Sequence, residues 1–127
     1  MLFQYWLEAT GIPEMVNGQW ELQHRYVNFT RSGISISLMY VNAADAQQTI
    51  VGVINLISNP QYMMLSFEQS YEGTLQQFDG LNFYITENIN KPVALWQGDD
   101  KLLLFSGRTS QEEVTSLLRT IIREIGE

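Results

Sequence analysis

An amphipathic helix near the C-terminal end constrains the fold of this chain more than any other stretch. Six aliphatic side chains recur at helical spacing and fall on one stripe: Val114, Leu117, Leu118, Ile121, Ile122 and Ile125. Ser110, with Glu113 three residues later, predicts a capping box, and Gly126 predicts the helix end. Because an isolated helix of this length is marginal in water, a helix over 110–125 must dock on an apolar surface.

The flanks of that stripe are polar. We expect six side chains beside it to lie in water: Glu112, Glu113, Ser116, Arg119, Thr120 and Arg123. The two glutamates lie near the positive end of the helix dipole and the arginines nearer its negative end, which favours the helix. The sequence therefore predicts a helix that buries one face and exposes the other.

The chain before this helix alternates polar and apolar residues in short runs, which is typical of antiparallel strands. The runs predict strands at 20–27, 34–41, 49–57, 62–69, 74–78, 81–86, 93–97 and 101–106. Turns are predicted at 15–18 and 28–33, and a polar loop at 42–48. Gly52 is a candidate position for a β-bulge. Asp79-Gly80 between two such runs is a strong hairpin signal.

These elements predict an α+β fold: a single antiparallel sheet of six to eight strands, flat or curled, with the C-terminal helix packed on one face. We interpret 1–127 as one domain, in which 19–106 supply the strands and 110–125 the helix. The first segment, 1–13, is either a short helix or an edge strand. Residues 102–105 are apolar at every position, which predicts that their strand is covered on both faces.

Composition excludes several classes of partner and chemistry. The net charge of −7 argues against nucleic acid and against anionic membrane surfaces, since both require a basic face. The absence of cysteine excludes disulfides and thiolate chemistry. No apolar run of about 18 residues occurs, so we expect no membrane insertion by this segment. The first residues also lack the features of a signal peptide.

The residues offer little for catalysis or metal binding. His24 lies on the apolar side of its predicted strand, and we expect a half-buried, hydrogen-bonded histidine rather than a ligand or a base. Asp99 and Asp100 with Glu87 could bind calcium weakly, but a solvated turn is the simpler interpretation because the calcium-loop pattern is absent. We therefore expect no catalytic residue, no cofactor, no metal and no enzyme activity.

Aromatic residues are the feature most suggestive of function. They are Trp6, Trp20, Tyr26, Tyr40, Tyr62, Tyr84 and Trp96. Two interpretations stay open: they fill a second core layer with the N-terminal segment as its lid, or they line a groove for a lipid or peptide. We single out Tyr84 and Trp96 as a candidate binding surface, on the expectation that both point away from the helix. The residues expected to point toward it are Leu81, Phe83, Ile85, Val93 and Leu95.

Residues 80–121 resemble a bacterial domain family of unknown function. The features that carry the resemblance are Gly80 and Tyr84, Trp96 before the turn Gly98-Asp99-Asp100, the strand that ends at Gly107, and the helix start with Ser110, Glu112 and Glu113. That family is often the extracytoplasmic C-terminal part of anti-sigma-factor-like membrane proteins and lipoproteins. The resemblance covers about the last third of the chain and implies an extracytoplasmic sensing or interaction role.

Two functions follow as hypotheses. The first is a non-catalytic extracytoplasmic sensor or interaction module of a membrane-anchored bacterial protein, with a protein, a peptide or a cell-wall component as partner. Its binding surface would be the sheet face opposite the helix. The alternative is a small carrier of lipids or other hydrophobic ligands, built on a half-barrel groove.

Overall fold

The computed structural model describes residues 12–30, 33–57, 73–78, 81–86, 92–98 and 101–125. These residues form eight strands and one helix: β1 (Met15–Val16), β2 (Trp20–Thr30), β3 (Gly33–Asn42), β4 (Asp45–Ile57), β5 (Gly73–Phe78), β6 (Leu81–Thr86), β7 (Val93–Gln97), β8 (Lys101–Gly107) and α1 (Gln111–Ile125). The predicted strand at 62–69 and the first eleven residues lie outside the described part of the chain.

The eight strands form one open antiparallel sheet in the order β1-β2-β3-β4-β8-β7-β6-β5. It consists of two four-stranded meanders, β1–β4 and β5–β8, which meet where β4 pairs with β8. Helix α1 packs on one face, mainly against β7 and β8. The predicted fold class is thus confirmed: an α+β fold with an antiparallel sheet and a C-terminal helix docked on it. We call the face under α1 the helix face and the opposite one the outer face.

The hairpins predicted in the second meander are present. Phe78 pairs with Leu81 in β5–β6, and Gln97 pairs with Leu102 in β7–β8. The first meander differs more from prediction. Its third and fourth strands are joined by a tight turn at Ala43 and Ala44, so residues 45–48 belong to β4 and not to a loop. The side chain of Asn42 stabilises this turn by accepting a hydrogen bond from the Ala44 amide at 2.9 Å.

The segment 15–18 is a hairpin start as well as a turn. Met15 and Val16 pair with β2, and three residues, Asn17 to Gln19, connect the two strands. Asn17 and Gly18 have φ of 55° and 64°, and Asn-Gly favours this left-handed conformation because both residues tolerate positive φ at low cost. The amide of Gln19 donates to the Val16 carbonyl at 3.0 Å and closes the turn.

The register is irregular at two places, within β2 and at Val41 and Asn42 where β3 approaches its turn to β4, and the prediction of a bulge at Gly52 is wrong. The register of β2 against β3 shifts between Leu22 and His24, whereas Gly52 pairs regularly with Leu38 and Phe105. Gly52 instead provides space, since a Cβ there would overlap the ring of Phe105. Beyond the bulge in β2 the inward and outward positions of the strand exchange, so the predicted alternation holds only for its first residues. Strand β2 also continues to Thr30, past the predicted start of a turn at 28.

The main core lies between the helix face and α1. Five residues of the predicted stripe are fully buried in it, and Ile125 is partly buried at its edge. Trp20 and Tyr40 bring the first meander into the same core. The Trp20 indole donates to a carboxylate oxygen of Glu113 on α1 at 3.1 Å, and the Tyr40 hydroxyl donates to the Pro13 carbonyl at 2.7 Å. One continuous core therefore joins both meanders and the helix.

A smaller apolar cluster lies on the outer face of the second meander. It consists of Tyr84, Leu95 and Leu102, with Leu104 packed against it. Strand β8 is thus buried on both faces, which confirms the prediction made from residues 102–105. The described aromatic residues do not concentrate in this second layer, because Trp20, Tyr40 and Trp96 belong to the helix-face core and Tyr26 is exposed.

Candidate ligand-binding site

A pocket of about 480 Å³ opens between the β5–β6 hairpin and one flank of the helix. We call it the α1 pocket. It is lined by Gln76 and Ile85 from the hairpin and by Gln111, Glu112, Thr115, Ser116 and Arg119 from the helix. Its volume lies in the range of about 300–1,000 Å³ that is usual for small-molecule sites.

The helix residues of the pocket share one flank because of their spacing. Gln111, Thr115 and Arg119 follow each other at four-residue intervals, and Glu112 and Ser116 lie one residue further on. This flank adjoins the apolar stripe, so most of its members are partly buried, while Glu112 is exposed. Thr115 is buried, and Ser116 and Arg119 are half-buried. Of the six flanking side chains expected in water, Glu112 and Arg123 are exposed, whereas the other four are half-buried: Glu113, Ser116, Arg119 and Thr120.

The hairpin supplies the opposite wall. Gln76 pairs with Phe83, whose side chain lies on the helix face. Ile85 follows Phe83 by two residues in β6 and therefore lies on the same face. Ile85 is 3% exposed and forms an apolar floor. The Gln111 side-chain amide donates to the carbonyl of Thr86, which ties the start of α1 to the end of β6. This hydrogen bond links the hairpin to the helix beside the pocket.

The start of the helix is capped by the chain itself. The Ser110 hydroxyl accepts a hydrogen bond from the Glu113 amide at 3.2 Å, as the capping pattern predicts. The Val114 amide donates to the Ser110 carbonyl, also at 3.2 Å. The amides of Glu113 and Val114 are therefore already paired within the chain.

The pocket combines hydrogen-bonding groups with one charge of each sign. Gln76 and Gln111 carry amides that both donate and accept, and Thr115 and Ser116 carry hydroxyls. Glu112 and Arg119 bring a carboxylate and a guanidinium. They are seven residues apart, which corresponds to about 10.5 Å along a helix axis. The lining is therefore polar, neutral overall and charged at two separated points.

The two residues singled out from the sequence do not form one surface. Tyr84 lies on the outer face and is 7% exposed, whereas Trp96 is 4% exposed and belongs to the helix-face core. The expectation that Trp96 points away from the helix is wrong, as is the expectation that Leu95 points toward it. Every residue from 92 to 96 is buried, so alternation gave no guide to their orientation. A binding role for Tyr84 stays a prediction.

The single histidine is not half-buried as predicted. His24 is exposed, and it pairs with Met39 on the outer face directly after the bulge in β2. Within the described residues, no group of three or more histidine and carboxylate side chains is arranged to hold a metal ion. Glu87, Asp99 and Asp100, the residues considered for calcium, lie outside that part of the chain.

The pocket residues were missed because their polar side chains resemble an ordinary solvated helix flank. Thr115 offered a signal, since a short β-branched residue beside an apolar stripe can be buried. The contribution of Gln76 and Ile85 depends on how the hairpin packs, which no local pattern reveals.

No helix in the described part of the chain is long and apolar enough to cross a membrane.

Comparison with known proteins gives a structural neighbour and no family. No family model and no curated protein matches this chain. Its fold is similar to that of a GTP-binding regulator from Thermotoga maritima, with a TM-score of 0.61 over 87% of this chain and 80% of that chain. Sequence identity between the two is 6%, so the likeness shows the fold alone. The resemblance to an extracytoplasmic bacterial domain family stays a prediction.

Proposed function

We propose that this domain is a non-catalytic binding module that takes a small polar molecule into the α1 pocket. The observation that carries the proposal is the pocket itself, with its volume of about 480 Å³ and its mixed lining. The volume is usual for a small-molecule site, and a lining of six polar side chains and one aliphatic side chain suits a polar ligand better than an apolar one.

The chemistry of the lining favours binding over catalysis. The hydroxyls of Thr115 and Ser116 would need an adjacent base to act as nucleophiles. The chain has a single histidine, and His24 lies on the outer face of the other meander. Among the described lining residues the potential base is the Glu112 carboxylate, which is exposed to water.

We place this activity outside the cytoplasm, as the sensing or interaction part of a membrane-anchored bacterial protein. The support for this finer proposal is the sequence resemblance of residues 80–121. Binding of a small extracellular molecule is compatible with a sensing role, since a bound ligand stabilises the conformation that it fits. Detection of the full-length protein in a membrane fraction, with this segment accessible to added protease, would test the location.

The hydrophobic-carrier alternative has less support. It requires the aromatic residues to line a groove, but Trp20, Tyr40 and Trp96 pack in the core under α1. GTP is a separate candidate, because the structural neighbour from Thermotoga maritima is a GTP-binding regulator. A nucleoside triphosphate would bring several negative charges to a lining with one guanidinium and one carboxylate, so we expect it to bind weakly.

A titration monitored by amide NMR tests the proposal. Amino acids, short peptides, small sugars and GTP are added in turn, and we expect at least one to shift the amides of Ile85, Thr115 and Ser116 together. Ser116→Trp should fill the pocket and abolish these shifts, while circular dichroism shows an intact fold. Glu124→Trp, at an exposed position on the same helix, is the matched control and should bind normally. Binding that Ser116→Trp leaves unchanged would contradict the proposal.

A further inference from the structure

We propose that two copies of this chain associate through the free edge of β2, so that their two sheets join into one. The free edge is the side of β2 that faces away from β3, over residues His24–Phe29. It lies at the opposite end of the sheet from the α1 pocket, which is formed beside β5 and β6. Dimerisation is therefore independent of ligand binding in the pocket and leaves the pocket open.

Strand β2 is paired along its whole length on one side only. It has 11 residues, and its pairing with β3 runs from Trp20 to Thr30. On the other side, β1 has two residues and pairs with Trp20 and Glu21. The Leu22 amide donates to the Glu14 carbonyl at 2.8 Å, and among the described residues no backbone group pairs with this side of β2 beyond that point. A strand edge of this kind is a template for pairing with another strand.

The chain before β1 leaves this edge instead of continuing along it. The Pro13 carbonyl accepts a hydrogen bond from the hydroxyl of Tyr40, whose side chain lies on the helix face. Ile12 is buried in the core on the same face. The described residues that precede β1 therefore turn under the sheet and leave His24–Phe29 uncovered.

The bulge in β2 determines which backbone groups the free edge presents. Before the bulge, Leu22 has its side chain on the helix face and its amide turned toward β1. After the bulge, Arg25, Val27 and Phe29 are the residues that pair with helix-face positions of β3. Side-chain direction and hydrogen-bond direction alternate together along a strand. The amide and carbonyl groups of these three residues therefore point to the free edge.

The side chains along this edge suit a second copy of the same edge. Tyr26 and Phe29 are large aromatic residues that are 62% and 68% exposed. The chain has a net charge of −7, yet no carboxylate occurs within His24–Phe29. The charged side chain there, that of Arg25, is ion-paired with Glu14 at 3.1 Å. Two such edges can therefore approach each other without the like-charge repulsion that opposes association of acidic surfaces.

The edge is complementary to itself in one register. In an antiparallel, two-fold symmetric pair centred on Val27, this residue faces its own copy, and Arg25 faces Phe29 of the second copy. These are the positions whose amides and carbonyls point outward, so the pairing forms about six hydrogen bonds, two for each opposed pair. Each Arg25 side chain then lies beside an aromatic ring, which is a favourable contact even at an exposed site. On the outer face, Tyr26 lies opposite Asn28 of the second copy.

Sedimentation velocity of the folded chain, from low micromolar to submillimolar concentration, tests the proposal. We expect the mass to rise from that of a monomer to that of a dimer. Phe29→Asp places a carboxylate on the edge and should raise the dimer Kd at least about tenfold. Val51→Asp is the matched control, because Val51 is also an apolar residue that is 49% exposed but lies on β4, away from this edge. It should dimerise as the unmodified chain does, and circular dichroism checks that both variants are folded.

A single introduced cysteine reports the register, because the chain has no cysteine of its own. Opposed residues of a hydrogen-bonded antiparallel pair have Cα atoms about 5.5 Å apart, which is within the range for a disulfide. Val27→Cys should therefore give a disulfide-linked dimer on mild oxidation, measured on a non-reducing gel. In His24→Cys, on the same strand, the two cysteines would be about 20 Å apart, and no linked dimer should form.

Hydrogen exchange gives a third measurement. The amides of Arg25, Val27 and Phe29 should exchange more slowly as the concentration of the chain rises. A mass that stays monomeric over the whole range overturns the proposal, as does a dimer that Phe29→Asp leaves unchanged. Slow exchange of these amides at every concentration also overturns it, because another part of the chain then occupies the edge. A disulfide that forms as readily in His24→Cys as in Val27→Cys contradicts the register.

Discussion

The two meanders share one core on the helix face but differ on the outer face. In the first meander, Tyr26 and Val51 are 62% and 49% exposed on the outer face. In the second, Leu95 and Leu102 occupy the same face of the same sheet and are 1% and 3% exposed. Both meanders consist of antiparallel strands of the same sheet. The burial of the outer face therefore depends on which side chains each meander places there.

The difference on the outer face also shows which side chains contribute to stability and which are available for binding. Side chains under α1 belong to one continuous core, whichever meander supplies them. On the outer face, the second meander contributes another apolar cluster, whereas the first leaves polar and apolar side chains in water. The outer face predicted to bind a partner is therefore available mainly on β2–β4, and there the exposed aromatic residue is Tyr26 and not Tyr84.

We expect the largest loss of stability from a substitution in the core under α1, to which both meanders contribute. Leu118 is fully buried under α1, and Leu118→Asp would place an unpaired charge there. We expect a loss of more than about 4 kcal/mol, enough to unfold the domain. Circular dichroism and urea unfolding would measure it. Glu124→Asp, at an exposed position on the same helix and with its charge unchanged, should change the melting temperature little. If Leu118→Asp melted near the unmodified chain, the docking of α1 would be wrong.

A direct comparison of the outer face uses one truncation in each meander. Leu95→Ala should cost about 2–5 kcal/mol, because it leaves a cavity in a buried cluster. Val51→Ala should cost less than about 0.5 kcal/mol, because its side chain is half in water. Urea unfolding of the two variants measures both values. Equal costs would show that the two halves of this face do not differ as described.

The junction between the meanders can be tested at Gly52. Gly52→Ala places a methyl group against the ring of Phe105 on the neighbouring strand, and we expect a loss of about 1–3 kcal/mol from overpacking. In a Phe105→Leu background the same change should cost less, because the ring is absent. A double-mutant cycle measures this coupling. A coupling energy near zero would show that the ring does not occupy this space.

The smallest effect concerns Tyr40 and depends on pH. Burial raises the pKa of the Tyr40 hydroxyl well above its usual value of 10.0, and nearby Arg25 lowers this pKa by less. The folded state thus retains this proton more tightly than the unfolded state does. Its contribution to stability is fully present below about pH 10 and is lost as the pH rises above that.

Tyr40→Phe should remove this alkaline loss. It should also cost about 1 kcal/mol near pH 8, because the Pro13 carbonyl loses its donor. Urea unfolding from about pH 8 to about pH 11 would measure both effects. Tyr26→Phe, at an exposed position, is the control and should keep the full pH dependence. An unchanged slope in Tyr40→Phe would contradict the assignment.

Periodicity predicted the helix, its cap, the hairpins of the second meander and the fold class, because each depends on residues close in sequence. The exposure of His24 could not be predicted in this way, since one extra residue in β2 reverses the face of every residue after it. Trp96 was misplaced because its strand is apolar on both faces. The α1 pocket needs Gln76 and Arg119 on opposite walls of one space, which exists only after the sheet and helix have packed.

The β4–β8 pairing also has a consequence for how the chain folds. Hairpins such as β3–β4 form between residues close in sequence, but Leu56 and Lys101 pair across 45 positions. Closing a loop of that length costs conformational entropy before any core contact compensates for it. We therefore expect the two meanders to form early and their junction to limit the folding rate. Until that step is complete, α1 lacks its contact with Trp20 of the first meander, and the apolar edges of β4 and β8 are open to pairing between molecules.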